Sequence, residues 1–406
     1  MFKAKYLRHP IRTSKAANAL VKARLSMRSS AANGRRYYKD DPRYNLQSVT
    51  DGFASCLDMG DDDSELLERI CAAYAKTVQH PKPASEVYKA TDWWEEIRER
   101  SLRPVIQALL SRDIRALRRS YQNFFRDPCS TGLVNVPNGM SKAYFDGPIK
   151  DVHRHFYLSD SLHRLDYWLL KTQGRCSIRE LSGPKVGNPF GLYLNGTLIR
   201  AGATYQHYCA CRISSFLDSA RPIVAEIGGG FGGMAYYLLR DRPNLTYFDF
   251  DVPESIALTS YYLSKAFPQL RIRFFGEPDS ISDQAADVVL MPLSELSSVR
   301  AESFDIVFSF HAMSDLSRNA SQHYLHIVNR VTRGLFLYGG NRSAIDAINK
   351  TISRDYPLAE PPEITPSGWN DHMDPSNNAN EVECLCRFNS VRRVDIETHL
   401  LINSPQ

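Results

Sequence analysis

The segment Ile223-Val-Ala-Glu-Ile-Gly-Gly-Gly-Phe-Gly-Gly233 constrains this chain more than any other. A short apolar run ends in Glu226 and is followed by Gly228, Gly230 and Gly232 at every second residue, and then by Met234-Ala-Tyr-Tyr-Leu-Leu239. Apolar strand, glycine turn and helix form the first β-α unit of a nucleotide-type binding fold. Its glycines permit a sharp turn and the approach of a ligand where a Cβ would collide.

The pattern around this unit repeats the alternation. Strands are expected at Leu245–Phe250, Arg271–Phe275, Asp287–Leu290, Phe304–His311 and Gly334–Tyr338, with helices at Gly233–Arg240, Glu254–Ala266 and Ala320–Thr332. This predicts an α/β domain over residues 216–406, a doubly wound Rossmann-like sheet with its ligand site at the carboxyl edge of the strands. Residues 46–215 read as a mostly helical accessory domain that binds the acceptor. It includes helices at Ser64–Thr77, Thr91–Asp113 and Arg115–Phe125, with an irregular stretch at Pro137–Pro148.

The charge is distributed unevenly. Residues 1–39 hold eleven lysines and arginines and no acid, so the remainder carries 39 basic against 45 acidic residues. A mildly acidic body with a basic arm at 1–45 argues against nucleic acid as a partner, since a nucleic-acid binder keeps its positive surface on the folded domain. The arm reads as a flexible leader. Ala17–Met27 has the pattern of a basic amphipathic helix suited to an anionic surface, and a transit peptide also fits the composition. No apolar run reaches the roughly 20 residues of a membrane span, and no signal-peptide block is read. Eight cysteines include the pairs Cys209/Cys211 and Cys384/Cys386. In strands such pairs share a face, so they are expected as core thiols in a reducing, cytoplasmic setting.

Three details bear on the ligand of the loop. Glu226 lies two residues before Gly228, suited to a cationic amino group. Asp249 and Asp251 close the second strand 21 and 23 residues past Gly228, where a carboxylate accepts hydrogen bonds from ribose hydroxyls. The loop has no basic residue for phosphate, and Phe231 crowds it. These features favour S-adenosyl-L-methionine (SAM), a cationic cofactor without phosphate, over a dinucleotide.

The segments AEIGGGFGGMAYYLL, FDVPESIALTSYYL, FDIVFSFHAMSDLS and GLFLYGGNR, with VGNPFG upstream, resemble the bacterial sugar O-methyltransferase family over roughly residues 95–375. The resemblance implies a class I methyltransferase fold, SAM as cofactor, a sugar or glycan acceptor, and the ribose acid at Asp251 in preference to Asp249. Fold analogy adds a lid and a homodimer surface from the helical region. His311-Ala-Met-Ser-Asp315 is also similar to the His-Asp-Trp-Ser-Asp pattern of plant-type small-molecule O-methyltransferases, in which that histidine is the base.

A sugar hydroxyl is weakly acidic, and a positioned base accelerates its methylation. His311 follows a buried strand directly and is the candidate base; Asp315 either orients its imidazole or begins the next helix. Asn341 and Arg342 follow the fifth strand and are candidates for acceptor hydroxyls or an anionic substituent. Trp369, in a late loop, is either a stacking platform for a sugar ring or a core residue. His153, His155 and His163 are expected to pack or to be solvated. Asp371, His372 and Asp374 have ligand chemistry, but with no third cluster beside them no metal is expected. Three other functions stay open: O-methylation of a phenolic or polyketide acceptor, an oxidoreductase, and a degenerate methyltransferase fold serving as an adaptor.

Overall fold

The computed structural model describes residues 25–57, 62–80, 91–134, 144–145, 147–277, 286–356, 359–372 and 380–388. The chain divides into two units that interleave along the sequence. One draws on Met1–Ala54, Val136–Ser182 and Phe190–Ala201, the other on Ser55–Asn135, Gly183–Pro189 and Gly202–Gln406. This differs from the expected boundaries. The helices between residues 64 and 121, expected in a separate helical domain, belong to the same unit as the sheet.

In the first unit, helix α1 (residues 25–37), helix α2 (Leu46–Gly52) and the long helix α7 (Asp151–Lys171) accompany an antiparallel hairpin, β1 (Gly191–Leu194) and β2 (Thr197–Arg200). Asn195 and Gly196 turn the hairpin with φ of 50° and 78°, the left-handed pair that a two-residue hairpin loop requires. The described part of the arm is not free. Tyr38 is buried and its hydroxyl donates to Asp166 Oδ2 (3.0 Å), while Arg43 bridges Asp41 and Asp166. Aromatic anchors thus fix residues that a charge count reads as a solvated leader. Most of the expected helix Ala17–Met27 lies outside the described residues. His155 accepts from or donates to the Tyr44 hydroxyl through Nδ1 (2.9 Å), and the His163 ring packs against Tyr37 and Tyr38, so these histidines have packing partners.

The second unit is built on an eight-stranded sheet. Its strands are β3 (Ile223–Ile227), β4 (Thr246–Asp251), β5 (Ile272–Arg273), β6 (Val288–Pro292), β7 (Phe304–Phe310), β8 (Thr332–Asn341), β9 (Glu363–Pro366) and β10 (Glu381–Arg387), in the spatial order β5-β6-β4-β3-β7-β8-β10-β9. Pairs from β5 to β8 are parallel; β10 runs antiparallel to both β8 and β9. The order reverses at β3, which pairs with β4 on one side and β7 on the other, so the crevice at a Rossmann-like switch point opens beyond the ends of β3 and β7.

Helices α8 (Ala203–Ser214), α9 (Gly233–Asp241), α10 (Pro253–Ala266), α12 (Arg318–Val331) and α13 (Arg342–Asp355) flank the sheet. Every residue of α10 from Glu254 to Leu263 is buried, as a helix covered on both sides must be. Its outer cover is α3 (Ser64–Gln79), whose Tyr74 hydroxyl donates to Glu254, while the Tyr261 hydroxyl of α10 donates to Asp63 (3.0 Å). That cover places the early helices with the sheet.

Strands β9 and β10 and helix α13 extend the fold beyond the sequence reading. Cys384 and Cys386 lie in β10, both buried in one core cluster with Phe336 and Tyr338, as strand alternation predicts. Cys209 and Cys211 are instead on helix α8, where residues two apart diverge. Cys209 is buried, and Cys211 is partly exposed with its Sγ 3.5 Å from His207 Nδ1. Among the described residues no helix is long and apolar enough to cross a membrane.

Glu383 of β10 is 1% exposed and accepts from the Tyr208 hydroxyl (2.9 Å) and the Arg212 guanidinium, both on α8. Glu383→Ala leaves that cation and hydroxyl facing an empty place. The expected cost is about 3–5 kcal/mol in urea unfolding, with a smaller loss for Glu383→Gln, whose carbonyl still accepts. A loss below about 1 kcal/mol for the alanine variant would show that the pair does not hold α8 to the sheet.

Candidate functional site

The carboxyl ends of β3, β4 and β7 meet at the glycine loop. Gly228, Gly230 and Gly232 take φ of 81°, 65° and 84°, the left-handed region in which glycine carries no steric penalty. Space adds a second requirement. A Cβ on Gly228 would overlap the Cβ of Ala312, and one on Gly229 would lie 2.6 Å from Asp249 Oδ1. The loop is therefore pressed against the segment after β7 on one side and the end of β4 on the other.

Loop amides are held by the two aspartates. Gly229 N–H donates to Asp249 Oδ1 (3.1 Å) and Gly230 N–H to Asp251 Oδ2 (2.9 Å), while Val252 N–H donates to Asp251 Oδ1 (2.6 Å). Thr259 of α10 fixes the loop from below, its hydroxyl donating to Gly230 O (2.7 Å). Phe231 does not crowd a ligand. It is 2% exposed and packs among Phe124, Phe125 and Tyr262, anchoring the loop in the core.

Glu226 pairs in register with Asp249 across β3 and β4, and its Oε2 accepts from the Tyr247 hydroxyl (2.5 Å). Burial pushes the Glu226 carboxyl up to about 8, against the hydrogen bond from Tyr247 and with the help of the Asp251 charge. Burial likewise raises Asp251 to about 7, the loop and Val252 amides opposing it. Asp249 is driven well above the ordinary aspartate range by burial and then by Asp251 and Glu226. Asp249 is fully buried and its Oδ2 has no hydrogen-bond partner, whereas Asp251 ends the strand at 8% exposure.

On the other side of the crevice, Ser309 donates to Ile227 O (2.8 Å) and accepts from Met313 N–H (3.2 Å), tying β7 to the end of β3. His311 follows with φ 70° and ψ −42°, at the amino end of the one-turn helix α11 (Ala312–Asp315). This lies near the γ-turn conformation that non-glycine residues seldom adopt, held here by the His311 N–H donating to Gly339 O (2.8 Å). Gly340 leaves room for Ser314 beside it. The His311 side chain is exposed at the carboxyl edge, its ring centroid 6.0 Å from that of Tyr205.

Several expected residues sit differently. The hydrogen bond between Asp315 and His311 is a backbone one, Asp315 N–H donating to His311 O (3.1 Å) as α11 closes. The Asp315 carboxyl is raised by burial and partly offset by the His311 charge. Trp369 is 2% exposed, with rings of Tyr205 and Tyr208 at 5.4 and 5.5 Å, so it is packed and offers no open face for a sugar. Asn341 caps α13, its Oδ1 accepting from Ser343 N–H (3.0 Å) and Ser343 Oγ (2.7 Å). Arg342 N–H donates to Asn380 O (2.6 Å); both residues do stand at the carboxyl end of β8. Asp371 and His372 are described, whereas Asp374 lies outside the described residues.

Tyr205 and Gln206 of α8 join the site without a sequence signal beyond their helix. Tyr205 packs against Phe310, His311 and Trp369, and Gln206 Oε1 lies 2.5 Å from where a Cβ of Gly233 would stand.

No protein-family model matches this chain, and no curated protein matches it. Solved structures with related architecture include a SAM-dependent methyltransferase from Aquifex aeolicus (TM-score 0.31, 10% identity, covering 44% of this chain and 88% of that one). The methyltransferase domain of bacterial CtHen1 gives TM-score 0.34 at 12% identity, covering 45% of this chain and 98% of that one. Magnesium protoporphyrin IX methyltransferase from Synechocystis PCC 6803, with bound SAM, gives TM-score 0.33 at 10% identity over 57% of this chain and 97% of that one.

The carboxylates give a pH signature. Glu226 holds its proton to about 8 in the folded chain against an ordinary 4.5, so the folded state binds more protons between those values and loses stability as pH rises through them. One such group contributes at most about 1.4 kcal/mol per pH unit. Melting of the ligand-free protein is expected to fall from pH 5 to 8.5, and Glu226→Gln is expected to flatten the slope while keeping the acceptor for Tyr247. Equal slopes in the two proteins would refute the assignment.

Proposed function

We propose that this chain is a SAM-dependent O-methyltransferase acting on a sugar or glycan hydroxyl. One observation carries the cofactor half of this reading. Among the described residues six acids are buried: Asp63, Glu226, Asp249, Asp251, Glu254 and Glu383. Three have an arginine, in the pairs Asp63–Arg118, Glu254–Arg98 and Glu383–Arg212. The other three have no basic partner, and all of them surround the glycine loop. Buried acids that keep no internal cation suit a ligand that brings one. SAM carries an ammonium and a sulfonium, whereas a pyrophosphate would add charge of the wrong sign.

The residues fit that group. The loop is glycine-rich, Asp251 stands at the strand end where it could accept from ribose hydroxyls, and Glu226 and Asp249 beneath are acids that a bound cation would draw into their charged form. When bound, SAM supplies an electrophilic methyl group on sulfur. His311 is assigned to take the proton of the acceptor hydroxyl, being exposed at the carboxyl edge directly across from the loop through the Gly228–Ala312 contact. Its backbone is fixed by Gly339 and by α11, which supports a held base. The acceptor class rests on the sequence resemblance.

Calorimetry with S-adenosylhomocysteine (SAH) tests the cofactor: binding to the wild-type chain, weakened at least about tenfold in Asp251→Ala, is expected. Absence of binding, with no binding of a nicotinamide dinucleotide, would leave the adaptor reading. With an acceptor in hand, His311→Ala is expected to lower the rate about 10²–10⁴-fold with cofactor binding unchanged. A variant that keeps most of its activity at raised pH would point instead to a phenolic acceptor.

A further inference from the structure

The basic segment at the start of the sequence is partly built into a folded unit. On helix α1 (residues 25–37) half-buried Met27 and buried Ala31 and Gly34, with buried Tyr38 just after, recur at steps of four and three, the spacing of one helix face. Gly34 lets that face come close to α7: a Cβ there would lie 2.0 Å from Ser159 Oγ. Tyr37 takes a second side, its ring centroid 5.3 Å from that of His163.

A third side is left to solvent. Leu25, Arg28, Ala32, Arg35 and Arg36 follow one another at three- and four-residue steps, and all five are exposed, Leu25 at 59%. Lys39 is exposed in the turn that follows. None of these four cations has a carboxylate partner among the described residues. Elsewhere in the same unit arginines are paired, Arg43 with Asp41 and Asp166, and Arg164 with Asp160. Seven further lysines and arginines precede Leu25 in the sequence with no acid among them, whereas residues 40–406 carry 39 bases against 45 acids. The structure thus holds a row of cations in place and gives it nothing to neutralise it.

We propose that this side of α1 docks on the surface of an anionic lipid bilayer. The inference stands apart from the methyl-transfer reading and does not depend on it. Three of the four cations are arginines, whose planar guanidinium pairs with phosphate through two parallel hydrogen bonds. Their aliphatic stems and Leu25 share one line along the helix, so apolar groups meet the acyl boundary while the charges stay among the headgroups. Single-stranded nucleic acid is the competing polyanion, and its binders set aromatic rings among the cations for bases to stack on. This side of α1 has no such ring: Tyr38 is buried and Tyr37 is turned to His163. Because the rest of the chain is net acidic, an anionic surface attracts this side and repels the remainder, which orients the bound molecule.

Co-sedimentation of the full chain with vesicles of equimolar phosphatidylglycerol and phosphatidylcholine tests this. The wild type is expected to pellet with them, to stay in solution with pure phosphatidylcholine, and to be released as added salt shortens the Debye length. Each cation near such a surface strengthens binding by about fivefold. Changing Arg28, Arg35 and Arg36 together to Gln, with residues 1–24 untouched, is therefore expected to weaken binding at least about tenfold. The same three changed to Lys keep the charge and are expected to bind within about threefold of the wild type. All three side chains are exposed, so both variants are expected to melt with the wild type. Failure to pellet, equal pelleting with neutral vesicles, or a glutamine variant that binds as tightly as the wild type would overturn the proposal. So would tighter binding, at equal phosphate, to a single-stranded oligoribonucleotide than to the vesicles, which would make nucleic acid the partner of this side.

Discussion

Charge compensation in a low-dielectric interior orders the sheet-bearing unit. A carboxylate taken out of water costs several kcal/mol unless a cation or a set of donors replaces the water. Asp63, Glu254 and Glu383 are supplied by Arg118, Arg98 and Arg212, each from a helix outside the sheet, so each compensation also docks a helix. Glu226, Asp249 and Asp251 receive backbone amides and a tyrosine hydroxyl instead. Donors of that kind soften the cost without cancelling the charge, which is why these groups keep protons toward neutral pH. The fold carries this set at a cost that a cationic ligand of the kind proposed above would relieve.

The glycines are the counterpart of those acids. Were the loop to carry side chains, its amides could not come within hydrogen-bonding reach of Asp249 and Asp251, and Gly228 could not touch Ala312. Reversal of strand order at β3 makes that touch possible, because it brings the end of β7 beside the end of β3. Ser309 then fastens the two strands, and the chain must turn at once at His311. A conformation costing about 1–3 kcal/mol is tolerated there because Gly339, Ser309 and α11 hold both sides of it.

The central strands and the loop were legible because burial on both faces writes long apolar runs, and because three left-handed positions at alternate residues admit little but glycine. The remainder was masked by physical context. Strand β10 reads Glu-Val-Glu-Cys-Leu-Cys-Arg, and its buried Glu383 looks like a solvent-facing residue until Arg212 is placed beside it. Asn195-Gly196 is a strong hairpin signal that a mostly helical reading of residues 46–215 passes over. The grouping of residues 64–121 with the sheet depends on ion pairs and tyrosine hydroxyls across some 55 to 200 positions of sequence, which no local pattern contains. Trp369 and Asp315 follow β9 and β7, and their surroundings come from α8 and from a helix of one turn, which no local pattern shows.

Those surroundings bear on the acceptor side. Tyr205, Phe310 and Trp369 form an apolar wall beside the His311 ring, backed by Tyr208 and the Glu383–Arg212 pair. An apolar wall next to a base lowers the local dielectric and strengthens whatever hydrogen bond the imidazole makes to an incoming hydroxyl. It also leaves few polar groups to bind an acceptor on that side, since Asn341 is occupied as a helix cap and Trp369 is closed in. On the reading proposed above, an acceptor with many hydroxyls would need most of them recognised away from this wall. Were His311 the base proposed above, its surroundings would set how the reacting oxygen is presented, and the choice of acceptor would fall to residues beyond this wall.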